Sequence, residues 1–284
     1  MNNQRIRVGI LFGGKSAEHE ISLLSAKNVI DAIDKSKYEP VLIGIDKSGR
    51  WLMNEPSNML LNTHNPKLIA LNQAESESVA LAPQSEGKLV KLDSGDIGQT
   101  VDVVFPILHG PLGEDGTIQG LLKLANVPFV GAGILGSAVG MDKDVMKRLL
   151  RDAGIPVSKF LVFRRGDKID FDAVSKVLGM PVFVKPANLG SSVGISKAKD
   201  QARFENATKE AFRYDSKIIV EEAVKGREIE CAVLGNQNPQ ASIAGEIIPT
   251  HEFYSYEAKY IDDNGARLEI PAKIPADTLK RVQD

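Results

Sequence analysis

Residues 6–16 read Ile-Arg-Val-Gly-Ile-Leu-Phe-Gly-Gly-Lys-Ser, and this stretch decides the fold class. Its first seven residues are mostly apolar and predict a buried strand that ends at the two glycines. A helical apolar pattern follows, with Ser16 as its candidate N-cap, and a second strand is predicted at residues 41–45. Strand, helix and strand in succession indicate an α/β protein with a doubly wound parallel sheet.

The rest of the chain keeps this pattern with one interruption. Residues 53–99 are rich in Asn, Gln and Ser with weak periodicity, so we expect irregular excursions outside the core. Further strands are predicted at residues 101–108, 127–130, 182–185, 193–197, 217–221, 229–233 and 241–248. Helices are predicted from Thr117, at residues 142–153, 170–178 and 199–213, and from Pro275.

The charge balance excludes several classes of partner. The 284 residues include 35 Lys and Arg against 37 Asp and Glu, a formal net charge of −2. Nucleic acids and anionic membranes call for a basic excess that this chain lacks. The single cysteine, Cys231, cannot form an intramolecular disulfide, which fits a reducing compartment. With no signal-peptide pattern and no run near the ~18 apolar residues of a membrane span, we expect a cytoplasmic protein.

Two familiar motifs are matched in letters only. Residues 9–16 fit the P-loop pattern G-x-x-x-x-G-K-S, but Ile10-Leu11-Phe12 belongs to the predicted strand and leaves only the glycine pair free to turn. His19-Glu20 and His251-Glu252 begin like the zinc motif H-E-x-x-H, and neither has the second histidine. No metal site is therefore predicted within the chain.

Residues 109–116, His-Gly-Pro-Leu-Gly-Glu-Asp-Gly, follow a predicted strand and form a candidate ligand loop. In an open α/β sheet, ligands bind at the carboxyl ends of the strands. The glycines allow the backbone to approach a ligand closely. An ordinary acidic turn with a capping histidine is the alternative that these residues leave open.

Residues 185–194, Lys-Pro-Ala-Asn-Leu-Gly-Ser-Ser-Val-Gly, form a second candidate loop. A lysine at the end of a buried apolar strand is costly unless it meets an anion. The Gly-Ser-Ser segment offers hydroxyl and backbone N–H groups that suit phosphate oxygens. The alternative is a polar hairpin in which Lys185 extends its ammonium group to solvent.

Residues 218–224, Ile-Ile-Val-Glu-Glu-Ala-Val, form an apolar strand that leads to Gly226-Arg227-Glu228. Apolar walls with free backbone groups can hold an adenine ring, and a carboxylate a few residues further on can accept hydrogen bonds from ribose hydroxyls. A strand with a solvated end is the alternative.

Together with residues 13–20 (Gly-Gly-Lys-Ser-Ala-Glu-His-Glu) and 256–260 (Tyr-Glu-Ala-Lys-Tyr), these segments resemble the D-alanine–D-alanine ligases of the ATP-grasp superfamily. The resemblance implies an α/β fold of three domains, with ATP held between the second and third. They are an N-terminal Rossmann-like substrate domain at 1–131, a small α+β central domain at 132–222, and a truncated C-terminal α+β domain at 223–284 with a lid loop at 251–266.

The resemblance also implies the reaction and its substrates. ATP phosphorylates the carboxylate of one D-alanine, and the amine of a second D-alanine attacks the acyl phosphate. Phosphate leaves, and the product is D-alanyl-D-alanine for peptidoglycan precursors. The lid would exclude water so that the acyl phosphate meets the amine.

Roles near D-alanine follow from the same resemblance. Glu18 would hold the ammonium group of the first D-alanine, with Ser191 and Tyr260 as partners in a hydrogen-bonded catalytic triad. His109 would lie near this substrate, and Lys259 would reach the γ-phosphate beside it. Outside the resemblance, Glu18 would be an acidic residue that favours a helix N-terminus.

A further set of contacts is implied for ATP. They fall to Lys143, Lys185, Ser191, Ser192 and Lys259 at the phosphates, to Glu221 and Val224 at the adenine, and to Glu228 at the ribose. Outside the resemblance, Lys143 would be a solvated lysine in a first helical turn.

One departure from the family pattern concerns the metal. The family's ligands for Mg²⁺ (or Mn²⁺) fall downstream of Asp284, and the last predicted helix has a start and no C-cap. The sequence therefore predicts a fragment of a ligase, and the resemblance implies a homodimer. Two alternatives stay open: a ligase that joins D-alanine to a hydroxy acid, which Tyr260 disfavours because such members carry histidine there, and a nucleotide-binding module without activity.

Overall fold

The computed structural model describes residues 5–65, 68–74, 76–250 and 265–284. Contacts divide the chain into two compact units. The first comprises Met1–Pro156 and Ala187–Gly190, and the second comprises Val157–Pro186 and Ser191–Asp284. The three-domain division at 131/132 and 222/223 stays a prediction.

A seven-stranded sheet forms the centre of the first unit. Its strands, in the order in which they lie across the sheet, are β8 (Ile97–Thr100), β7 (Lys88–Lys91), β6 (Glu77–Leu81), β3 (Trp51–Met53), β2 (Tyr38–Ile45), β1 (Ile6–Gly13) and β9 (Val103–Leu108). The three strands β2, β1 and β9 are parallel, as predicted, and the other four are added antiparallel to one another and to β2. A short separate pair consists of β4 (Leu60–Leu61) and β5 (Ala70–Leu71).

Apolar clusters cover both faces of this sheet. The helices of the unit are α1 (His19–Ala32), α2 (Thr117–Leu124), α3 (Ile134–Met141) and α4 (Lys143–Asp152). Ile10 and Phe12 belong to the same cluster as Leu23 of α1, whereas Leu11 belongs to the cluster that includes Leu122 of α2. Successive side chains of a strand point to opposite faces, so a strand buried on both sides is apolar at nearly every position.

Two strand predictions in the first unit were wrong. Residues 53–99 supply strands to the main sheet, and Val79 and Leu89 are buried in its core. These strands are short and only partly buried, and β6 alternates buried with more exposed positions, so polar residues dilute the apolar signal. Residues 127–130 form no strand and contribute a single parallel bridge from Phe129 to Val104.

The helix predictions differ from the structure mainly in the residue at which a helix begins and in the side of the helix that is buried. Helix α1 begins at His19, and Ser16 is not its cap, because the Ser16 hydroxyl accepts the N–H of Glu18 instead. Asp142 does cap α4. The apolar side of α4 faces outward, whereas Asp144 and Lys147 are buried.

A four-stranded antiparallel sheet forms the first part of the second unit. Its strands, in spatial order, are β10 (Phe160–Arg164), β13 (Lys217–Glu222), β11 (Val182–Pro186) and β12 (Ser196–Ala198), and its helices are α5 (Phe171–Leu178) and α6 (Gln201–Tyr214). Asp170 and Asp200 cap the two helices. The predicted hairpin is confirmed, although its second strand begins three residues later than expected, and β10 was not predicted.

A smaller antiparallel sheet follows in the same unit. Its strands are β14 (Glu228–Glu230), β17 (Gly245–Pro249) and β18 (Ala266–Glu269), and a separate pair consists of β15 (Val233–Leu234) and β16 (Gln240–Ala241). Helix α7 (Ala276–Gln283) starts where Pro275 predicted it. The predicted lid, apart from its last two residues, lies outside the described residues, as do Lys259 and Tyr260. Within the described part of the chain, no helix is long and apolar enough to cross a membrane.

The added antiparallel strands can be tested as part of the core. Leu89 of β7 is 0% exposed, whereas Leu92, in the turn that follows, is 61% exposed. We expect Leu89→Ala to lower the free energy of unfolding by about 2–5 kcal/mol, since it removes buried methyl groups and leaves a cavity. The matched control Leu92→Ala should change it by no more than about 0.5 kcal/mol. Equal losses in urea unfolding would contradict the burial of β7.

Candidate functional site

A tight turn after β1 places Glu18. Gly13 has a φ of +91°, and a Cβ atom there would lie 2.2 Å from the carbonyl oxygen of Ile45. The N–H of Gly14 donates to the same oxygen at 2.8 Å. Only glycine permits this approach, which brings the chain back to start α1 beside the sheet. Glu18 then lies at the helix N-terminus with 6% of its surface exposed.

The loop of residues 109–116 lies directly against Glu18. Gly110 has a φ of +73°, and a Cβ atom on it would be 2.9 Å from Oε2 of Glu18. The N–H of Gly110 donates to the Glu114 carboxylate at 2.6 Å, which closes the loop on itself. The structure therefore brings together Glu18 and the His-Gly motif, which are about ninety residues apart in the chain.

Gln119 of α2 and Asp115, within the loop itself, hold the same loop. Nε2 of Gln119 donates to the carbonyl oxygen of Gly113 at 2.9 Å. The Asp115 carboxylate accepts the N–H of Leu112 at 2.8 Å and that of Thr117 at 3.0 Å. Burial raises the pKa of Asp115, but these hydrogen bonds outweigh it, so that its pKa lies below the usual range. The loop is a fixed element of the first unit.

His109 has a partner that sequence reasoning missed. Its Nε2 lies 3.3 Å from the hydroxyl of Ser25, on α1. Ser22, also on α1, accepts the N–H of Gly13 at 2.7 Å and donates to the carbonyl of Ile107. Glu18, Ser22 and Ser25 are spaced i, i+4 and i+7 and form one polar row on an otherwise apolar helix face, a spacing that could have identified both serines.

Lys143 faces the Gly-Ser loop. Its Nζ donates to the carbonyl oxygens of Leu189 and, at 3.5 Å, Ala187, and its own N–H donates to Ala187 at 3.0 Å. A cavity of about 530 Å³ opens beside it, lined also by Glu114 and by Gln119. Gln119 is buried, and its Oε1 has no hydrogen-bond partner among the residues that the structure describes. The cavity thus combines a cation with a buried acceptor.

Lys185 and Glu221 form an ion pair in the second unit. Lys185 on β11 and Glu221 on β13 approach to 2.6 Å between Nζ and Oε2, and Glu221 is buried. Lys185 also lies over the ring of Phe183, 5.6 Å from its centroid. Lys185 was predicted to contact an anion, and in the structure that anion is the Glu221 carboxylate. The two charges compensate each other at the end of the strand.

The loop after β11 contains three residues with left-handed backbone. Ser191 and Ser192 have φ values of +46° and +62°, and Gly194 has +68°. A Cβ atom on Gly194 would lie 2.7 Å from the ring of Tyr214. Left-handed residues in a turn can direct backbone N–H groups into one concavity, which fits phosphate oxygens. This loop and Lys185 are the candidate phosphate contacts of the second unit.

Other predicted site residues are less enclosed. Val224 and Glu228 are exposed, and Glu228 opens the strand β14. In the described ranges, no cluster of three or more His, Cys, Asp or Glu residues could hold a metal ion. The described residues therefore do not fit a Mg²⁺ site.

Comparison with known proteins places the whole chain. The family model "D-ala D-ala ligase N-terminus" matches residues 7–132, and "D-ala D-ala ligase C-terminus" matches residues 149–284. The D-alanine–D-alanine ligase of Shouchella clausii is 57% identical over 281 residues, which cover 98% of this chain and 76% of that protein.

Two solved structures are similar in fold. The D-alanine–D-alanine ligase from Coxiella burnetii superposes with a TM-score of 0.83 at 36% identity, over 98% of this chain and 74% of that one. The VanG D-Ala:D-Ser ligase from Enterococcus faecalis gives a TM-score of 0.80 at 36% identity, over 99% of this chain and 80% of that one.

The hydrogen bonds accepted by Asp115 should make its contribution to the free energy of unfolding depend on pH. Asp115→Ala should cost about 1 kcal/mol of unfolding free energy at pH 7, since two N–H groups lose their acceptor. A carboxyl whose pKa is lower in the folded chain stabilises the fold above its unfolded pKa of about 3.9, and this stabilisation is lost as the pH falls through the folded value. The difference in unfolding free energy between Asp115→Ala and wild type, measured in urea, should thus be largest at pH 7 and become smaller below pH 4.

The exposed Asp93, replaced by alanine, is the control for this comparison. Its effect should be small at both pH values. A gap for Asp115→Ala that is the same at pH 7 and pH 3 would contradict the lowered pKa.

Proposed function

This chain belongs to the D-alanine–D-alanine ligase family, and from that premise we propose how its residues divide the reaction. The enzyme is an ADP-forming ligase that uses ATP and Mg²⁺ to join two D-alanines for peptidoglycan. The γ-phosphoryl group of ATP passes to the carboxylate of the first D-alanine. The amine of the second attacks that acyl carbon, loses a proton and displaces phosphate.

The first unit binds the first D-alanine at Glu18. The carboxylate of Glu18 accepts the substrate ammonium, and Gly110, without a side chain, leaves room for that carboxylate. His109, oriented by Ser25, lies on the same loop. A buried carboxylate that gains a cationic partner makes a short, charge-assisted hydrogen bond, which favours an amino acid over a neutral molecule of the same size.

The second unit binds ATP, and the Lys185–Glu221 ion pair is the observation that carries this proposal. An ammonium group has three donors, so Lys185 can keep its bond to Glu221 and donate to a phosphate oxygen as well. Glu221 has further acceptor capacity for the adenine amino group. Ser191 and Ser192 supply loop groups to the phosphates, as their left-handed backbone supports.

The remaining contacts are proposals that rest on the family resemblance. Lys143 adds a second cation at the phosphates, Val224 lies beside the adenine, and Glu228 accepts from the ribose. Lys259 reaches the γ-phosphate, and Tyr260 completes the triad with Glu18 and Ser191. The segment 251–266 closes over the reactants and excludes water, which protects the acyl phosphate from hydrolysis.

The assembly and location of the enzyme are further proposals. We propose a homodimer in the cytoplasm, and the exposed apolar side chains of Leu135 on α3 and Leu149 on α4 support a protein partner. Sedimentation equilibrium should give twice the chain mass of 30.8 kDa. A chain that sediments as a monomer at all concentrations would contradict the dimer.

Removing the ammonium group of Lys185 tests the ATP site. Lys185→Ala should raise the KM for ATP by roughly ten- to a hundredfold, because a charge-assisted contact to phosphate is lost. The KM for D-alanine should change much less. Lys168→Ala, at an exposed position of the same unit, is the control. Unchanged ATP kinetics in Lys185→Ala would favour the polar hairpin instead.

A hydroxy acid, which would give a depsipeptide, is the second candidate for the second substrate. Tyr260 favours the dipeptide, since histidine at this position would add a group that carries positive charge near neutral pH. Such a charge disfavours an incoming ammonium and tolerates a hydroxy acid. Tyr260→His should therefore raise the yield of depsipeptide relative to dipeptide as the pH falls from 8 to 6. A constant ratio over this range would remove Tyr260 from the choice of nucleophile.

A further inference from the structure

A forked ion pair lies at the start of β14, beside the residue proposed for the ribose. Nε of Arg227 donates to Oε1 of Glu246 at 2.7 Å, and Nη2 donates to Oε2 at 2.6 Å. Nη2 also donates to the carbonyl oxygen of Lys273 at 3.0 Å. Glu246 is buried at the centre of the small sheet. One guanidinium thus joins β14, β17 and the segment after β18 with the planar geometry that suits arginine.

The strand register places Glu228 on the other face of this sheet. Ile229 is paired with Glu246, and Glu228 is paired with Ile247. Paired residues share a face and successive residues alternate, so Arg227, Ile229 and Glu246 lie on one face. Glu228 and Ile247 lie on the other. The ion pair therefore holds the backbone of β14 from the sheet face opposite to the Glu228 side chain.

Glu228 depends on that backbone for its position. Its side chain is exposed, and no side-chain hydrogen bond or ion pair holds it within the described part of the chain. The strand β14 has three residues and, among the described strands, lies at an edge of the sheet and pairs with β17 alone. A short edge strand without a side-chain anchor frays readily. Arg227 supplies the anchor one residue before Glu228.

We propose that Arg227 is a positioning residue for the nucleotide: through Glu246 and the Lys273 carbonyl it sets the start of β14, and so aims Glu228 at the ribose hydroxyls. This inference rests on the proposed ribose contact of Glu228. Discrimination between a ribonucleotide and its deoxy analogues then depends on the Arg227–Glu246 ion pair, although this pair does not contact the nucleotide.

Nucleotide binding by isothermal titration calorimetry tests the proposal without reliance on turnover. The ligands are ATP, 2′-deoxyATP and 3′-deoxyATP, and the quantity is the ratio of each deoxy Kd to the Kd of ATP. Wild type should prefer ATP to at least one deoxy analogue by roughly tenfold or more, since a hydrogen bond to a charged group is lost. Glu228→Gln should bring that ratio down several-fold.

Variants of the ion pair should lower the same ratio although neither residue contacts the ribose. We expect Arg227→Gln and Glu246→Gln each to reduce it several-fold, their double variant to reduce it no further, and Arg227→Lys to retain part of it. The control is Arg213→Gln, which breaks an exposed ion pair with Glu210 on α6 of the same unit. It should leave the ratio at the wild-type value.

The thermal midpoint Tm separates positioning from general stability. If Arg227→Gln and Glu246→Gln lower Tm and leave the ratio unchanged while Glu228→Gln lowers it, the ion pair is structural only and the inference is overturned. If Glu228→Gln itself leaves the ratio unchanged, the proposed ribose contact is wrong, and the inference falls with it. A variant that does not fold is replaced by Arg227→Lys, for which an unchanged ratio at a lowered Tm also counts against positioning.

Discussion

The close approach of Gly13 to the carbonyl oxygen of Ile45 is the constraint on which the first unit depends. A side chain at Gly13 would meet that oxygen at 2.2 Å, so no other residue allows the chain to turn so near the end of β2. Because the turn is this tight, α1 starts close to the carboxyl end of β1, and Glu18 is buried beside Gly110. The loop of residues 109–116 then packs against the Glu18 carboxylate, and the sterics of the backbone at Gly13 determine the position of that carboxylate.

Two ion pairs of the second unit join residues that are distant in sequence and neighbours in a sheet. Lys185 meets Glu221 from a neighbouring strand, and Arg227 meets Glu246 in the same way. A buried charge is costly unless a partner and further hydrogen bonds satisfy it. Strand pairing supplies such partners at fixed spacing, which is why polar residues can stand at the ends of apolar strands in this chain.

The sequence predicted the parts of the fold that are decided locally. The apolar run of β1 and the Asp142 cap of α4 were predicted because one stretch of chain contains the whole signal. The strands between residues 53 and 99 were missed, since their burial on one face depends on neighbours distant in sequence. The roles of Glu18 and Lys185 came from family resemblance. Their contacts with Gly110 and Glu221 are tertiary, and local pattern does not encode them.

In the ATP site proposed above, the Lys185–Glu221 pair would also bear on the end of the catalytic cycle. A lysine that faced the phosphates alone would attract ADP nearly as strongly as ATP, and a tightly held product limits turnover in many enzymes. Because Glu221 takes part of the positive field of Lys185, the attraction for any phosphate that arrives is moderated in advance. In that proposed site the shared cation would shorten the residence of ADP, because the carboxylate that compensates Lys185 at the end of β11 also weakens its hold on the product.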